Sequence, residues 1–113
     1  MQYALMFYAE PGEEAELSDA ERAAAKAEYE ALRDDPRFVS GAQLQPAETA
    51  TSVRVAGGRT LLTDGPFADT KEVLGGICLI EAANLDDAIE LAAAIPVARH
   101  GGVVEVRPLV GLR

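Results

Sequence analysis

The sequence predicts an α+β fold, a ferredoxin-like split βαβ with an inserted β-hairpin, in a single domain spanning 1–113. Three observations carry that prediction. Apolar periodicity and turn residues give the order β, α, β, hairpin, β, α, β. Only two segments have helical patterning, enough to cover one face of a sheet. The strand Gln2 to Ala9 is nevertheless apolar on both faces, and Val73 to Glu81 is more apolar still. The second sheet face therefore needs a cover from outside the chain. The economical one is another copy, which predicts a sheet-to-sheet homodimer with twofold symmetry.

Gln2 to Ala9 sets Tyr3, Leu5 and Phe7 against Ala4, Met6 and Tyr8 by simple alternation. Glu10 to Leu17 is a polar connection. Ser18 followed by Glu21 has the spacing of a capping box, which predicts a helix over Asp19 to Asp34, ended by Asp35-Pro36. Ala20, Ala24, Ala27 and Ala31 form one stripe, expected to pack small residues on the sheet. Ala25, Tyr29 and Leu32 form a second stripe to which no partner is assigned. Phe38 to Gln45 reads as a strand with a bulge or bend at Gly41. Thr51 to Val55 and Arg59 to Thr63 flank Gly57-Gly58 as a hairpin.

After Val73 to Glu81, with a bend or close approach expected at Gly75-Gly76, Asn84 caps a second helix. Asp86 and Asp87 fall in its first turn, and Leu85, Ala88, Ile89, Ala92 and Ile95 form its apolar face. Pro96 ends that helix or begins another turn. The last strand, Val103 to Arg107, places Val104 and Val106 on one face and Val103, Glu105 and Arg107 on the other.

A chain of 113 residues, half of them apolar, can bury a core without disulfides. The lone Cys78 lies in an apolar run, which suits a reducing compartment and makes a poor nucleophile. No apolar run approaches membrane-spanning length and no signal peptide is legible, so a soluble, cytoplasmic protein without membrane association is expected. A net charge of −9 opposes direct nucleic-acid binding. One histidine and one cysteine do not make a metal set, and no cofactor motif is present, so neither metal nor cofactor is expected.

The candidate site is read around Leu61 to Gly76, where Asp64-Gly65-Pro66 is dense turn chemistry followed at once by Phe67. His100 is the side chain best matched to proton transfer near neutral pH, and equally a residue suited to a helix C-terminus. Asp64 is a candidate to orient it or act as base, or to form an Asx turn. Phe67, Lys71, Arg107 and Tyr8 are candidate substrate-binding residues around the same cleft; Phe67 also reads as a core or dimer plug, and Glu105 with Arg107 as an interface ion pair.

Asp64-Gly65-Pro66-Phe67, with Asp69-Thr70-Lys71-Glu72 and Leu74-Gly75-Gly76 behind it, resembles the signature of the DGPF subgroup of the YCII-related family. The likeness extends to Leu44-Gln45-Pro46, Ala98-Arg99-His100-Gly101-Gly102 and Val104-Glu105-Val106-Arg107-Pro108. The resemblance implies a dimeric α/β barrel. It also implies kinship with small bacterial proteins found beside or fused to extracytoplasmic-function sigma factors. A His and Asp pair is proposed to be catalytic in the wider family, and one relative removes chloride from a hydroxylated aromatic ring. Other branches carry a histidine in the first helix, where this chain offers Lys26, Glu28 and Tyr29, so the pair here has to be His100 and Asp64. The expectation is lyase or isomerase chemistry on a small, anionic organic molecule. The alternative is a non-catalytic ligand-binding or accessory protein linked to sigma-factor regulation.

Overall fold

The two longer helices each begin where a side chain can satisfy a first-turn amide. The computed structural model describes residues 1–12 and 16–111, so Glu13 to Ala15 of the polar connection lie outside the described residues. Helix α1 (Asp19–Asp34) opens on the full capping box: Ser18 Oγ accepts from the Glu21 amide at 3.1 Å, and the Ser18 amide donates to Glu21 Oε1 at 2.9 Å. Helix α2 (Leu85–Ala93) opens with the Asp87 amide donating to Asn84 Oδ1 at 2.9 Å. Pro96 stands at the first position of a short α3 (Pro96–Arg99), where its missing N–H costs nothing.

Strands β1 (Gln2–Ala9), β2 (Phe38–Gln43), β5 (Val73–Glu81) and β6 (Val103–Pro108) make one antiparallel sheet in the order β2-β5-β1-β6. That order and the element sequence are those of a ferredoxin-like plait. Strands β3 (Thr51–Ala56) and β4 (Arg59–Asp64) form a separate two-stranded sheet, closed by Gly57 and Gly58 at φ 57° and 75°. Both glycines occupy the left-handed region a type I′ hairpin turn demands. The bulge expected at Gly41 falls instead at Val39, between the pairs Phe38↔Ile80 and Ser40↔Leu79. A Cβ at Gly41 would meet Cys78 Cβ at 3.0 Å and Ile77 O and Phe38 Cζ at 3.1 Å, so its neighbours would have to give by a few tenths of an ångström.

Register divides the sheet cleanly. Tyr3, Leu5, Phe7, Cys78, Ile80, Val104 and Val106 share the helix-covered face with Leu32, Ala88, Leu91, Ala92 and Ile95. Met6, Tyr8, Ile77, Leu79, Val103, Glu105 and Arg107 occupy the other face, which no element among the described residues covers.

Two expectations about the helices fail. On α1 the alanine stripe Ala20, Ala24, Ala27 and Ala31 is exposed, and Ala25, Tyr29 and Leu32 turn inward. On α2, Leu85 and Ile89 lie at the rim, 49% and 47% exposed, because the buried face is turned toward Leu91.

Arg37 ties α1, β2 and α2 together. It grips Asp35 through Nε and Nη2, each at 2.9 Å, and reaches Asp87 at 2.7 Å and Glu90 at 2.8 Å through Nη1. The Arg37 guanidinium holds the Asp35 carboxyl down at about 2. A depressed acid stabilises the fold above its unfolded pKa near 4 and loses that contribution as pH falls toward 2. Screened at this half-open site, the contribution is about 1 kcal/mol. Arg37→Met is therefore expected to lower stability near neutral pH and to flatten the acid limb. Urea unfolding of both proteins at about pH 6 and about pH 2.5 measures this; equal acid limbs in the two would refute it.

Candidate functional site

Helix α1 makes its main approaches to β2 and α3. It is held at a distance by Leu32 in the core, by Tyr29 against Phe7 with ring centroids 6.3 Å apart, and by an ion pair between Glu28 and Arg99 of α3. The gap beneath it is a cleft of about 800 Å³, within the range of small-molecule sites. Phe7, Phe38 and Cys78 contribute to its floor, and Ala25, Tyr29 and Leu32 to its helical wall.

The rim carries the charge. Arg22, Lys26 and Arg33 line it, one or two helical turns apart on α1, with the carboxylates of Glu10 and Glu30. Glu10 is bridged to Lys71 at 3.0 Å. The lining holds three cations against two carboxylates, in a chain of net charge −9, and Arg22 is itself bridged to Asp19 at 3.5 Å. Burial pushes the Cys78 thiol up to about 11, so it stays protonated and serves as floor.

His100 lines the same cleft. Its place follows from local chemistry: it is the C-cap of α3, and its amide donates to Pro96 O at 3.1 Å. Gly101 follows at φ 93°, and the Gly102 amide closes a Schellman-type bond to Val97 O at 2.9 Å.

The other candidates go elsewhere. Asp64 is exposed at the end of β4, opposite Thr51, and is not among the residues lining the His100 cleft. Phe67 is 80% exposed, with the Arg54 guanidinium 5.5 Å over its ring. Tyr8 and Lys71 line a smaller recess of about 430 Å³ with Thr70, Glu72, Val103 and Glu105. Arg107 adjoins it, paired to Glu105 along the strand. The six candidates thus fall in three places: His100 in the cleft, Asp64 and Phe67 at the base of the hairpin, and Tyr8, Lys71 and Arg107 at the recess. Sequence reasoning missed the cleft residues Arg22, Lys26, Tyr29 and Arg33. Their signal was the unassigned stripe Ala25, Tyr29 and Leu32, which Arg22, Lys26 and Arg33 flank.

Among the described residues no group of histidine, cysteine and carboxylate side chains is arranged to hold a metal, and no helix is long and apolar enough to cross a membrane.

The family profile of the YCII-related domain matches residues 1–113. An uncharacterised protein of Rhizobium meliloti (strain 1021) is 45% identical over 69 residues, 60% of this chain. The match spans 56% of that protein's length.

Proposed function

The chain belongs to the YCII-related domain family, and we propose that it is a DGPF-subgroup member binding a small organic anion in the cleft between α1 and the sheet. One observation carries this reading: an apolar floor of ligand-binding size is lined at its rim by Arg22, Lys26, Arg33 and His100. The floor takes an apolar body, and the rim neutralises its charge. Benzoate is a suitable probe, and as the only histidine His100 gives one unambiguous imidazole resonance. Millimolar benzoate is expected to shift that resonance saturably, and Lys26→Gln to weaken binding about tenfold. A resonance that does not move would overturn the reading.

A second reading, lyase or isomerase chemistry, is favoured by His100 lining that same cleft. There the imidazole moves the proton, and Asp64 assists only if another copy supplies it. On a found substrate, His100→Gln would lower turnover by about a hundredfold or more with ligand affinity kept. Turnover that survives the substitution removes the proton-transfer role and leaves binding.

The assembly proposed is a twofold dimer, the α/β barrel of two facing sheets. It is supported by the uncovered face bearing Met6, Tyr8, Ile77 and Leu79. The accessible surface, 7930 Å², also exceeds the roughly 6,000 Å² of a compact monomer of this mass.

A further inference from the structure

The hairpin β3–β4 is the least supported part of the protomer. It pairs with no strand of the main sheet, and a two-stranded ribbon without a covered apolar face is marginal in water. Its register places Val53, Val55 and Leu62 on one face, where they are 63%, 67% and 67% exposed. The opposite face carries Arg54, which stacks on Phe67, and Ser52, whose Oγ donates to Gly65 O at 2.8 Å. The chain therefore braces one face of the ribbon and leaves Val53, Val55 and Leu62 exposed on the other, beside Thr51, Thr60 and Asp64.

The dimensions say what covers that face. The protomer measures 46 × 43 × 19 Å, and the 19 Å thickness matches one helix layer on one sheet. Its radius of gyration is 16.0 Å, against about 13 Å for a compact chain of this length. The molecule is thus a slab with an extension.

The surface in excess of a compact monomer is about 2,000 Å². A four-stranded sheet face about 19 Å wide and 20 Å long offers only about 400 Å² of plan area, well short of that excess even after allowance for relief. The remainder lies beyond that face, and the ribbon offers Val53, Val55 and Leu62 exposed together. An excess near 2,000 Å² per protomer is what obligate homodimers bury, and is more than a standard transient partner takes, about 800 Å² a side.

We propose that hairpin β3–β4 is a dimerisation arm, reaching past its own sheet so that Val53, Val55 and Leu62 pack on the second copy of the chain. The inference rests on the twofold dimer proposed above and adds to it the surface that holds it. The turn Asp64-Gly65-Pro66 at the base of the arm would then fix the angle at which it leaves one protomer for the other.

Analytical ultracentrifugation of the full chain and of the double variant Val53→Asp/Leu62→Asp over a concentration series tests it. The expected result is a wild-type dimer and a variant whose dissociation constant is raised at least a hundredfold, with far-UV circular dichroism unchanged. A dimer of unaltered affinity in the variant would overturn the arm and leave the sheet-to-sheet dimer standing; a wild-type monomer would overturn both. Hydrogen exchange on the wild-type protein covers the case of a variant that fails to fold. Amides from Thr51 to Asp64 are expected to exchange more slowly in the dimer than after dilution to monomer. Equal rates at both concentrations would also overturn the arm.

Discussion

Gly102→Ala is expected to cost about 3 kcal/mol or more and to leave little folded protein at physiological temperature. A Cβ built at Gly102 lies 2.5 Å from Tyr8 O, 2.6 Å from Val97 Cγ2 and 2.9 Å from Val97 O. Two of those three atoms are backbone carbonyl oxygens, which no rotamer change can withdraw. Tyr8 O belongs to β1, which pairs Tyr8 with Val103 in the first step of β6. Val97 O accepts the amide that closes α3. The added methyl therefore pushes at once on the central strand, the edge strand and the cap that positions His100. Gly75→Ala is the matched control: nothing lies within 4 Å of its Cβ, and its φ is not in the left-handed region. That change is expected to stay within about 1 kcal/mol of wild type. Urea unfolding of the three proteins decides the matter; a Gly102→Ala protein as stable as the control would mean that the close approach is not real.

The same corner shows which features are legible in a sequence. Caps are local, so Ser18 with Glu21, Asn84 with Asp87, and His100 ahead of Gly101-Gly102 can be read from a few neighbours, and the structure places each as a cap. Strand faces follow for the same reason: alternation has a period of two, and Val104 and Val106 must part from Glu105 and Arg107. Burial on an alanine-rich helix is different. Alanine recurs on α1 because it favours the helix, so its spacing carries little information about which side is covered. The large residues Tyr29 and Leu32 decide, and they bring Arg22, Lys26 and Arg33 to the cleft with them. How far α1 stands from the sheet depends on Phe7 and Arg99, which are distant in sequence from Tyr29 and Glu28. No local rule reaches that. Asp64 and His100 mark a further limit: both carry plausible chemistry, but no local rule says that the first belongs to a ribbon that forms its own sheet.

Leu79→Glu is expected to dissociate the proposed dimer while leaving the protomer folded. Leu79 is half-buried on the uncovered face of β5, between Ala4 of β1 and Ser40 of β2, near the middle of the surface that a second sheet would meet. In the isolated chain a glutamate there points to water and costs little. In a twofold interface the substitution enters twice, once from each copy. Each carboxylate must then lose water against an apolar neighbour, at about 2 kcal/mol apiece after partial escape to the rim. Together these raise the dissociation constant by about a thousandfold. Ile89→Glu, on the outer rim of α2, adds the same charge away from that face and is expected to leave association unchanged. Sedimentation equilibrium of the three proteins gives the answer directly, and an unchanged constant for Leu79→Glu would move the interface off this face. The cleft supplies an internal check, because Phe7, Phe38 and Cys78 lie on the helix-covered side of the sheet. A monomeric Leu79→Glu protein should therefore still shift its His100 resonance with benzoate, which separates ligand binding from assembly. Loss of both together would mean that the second copy helps to build the site.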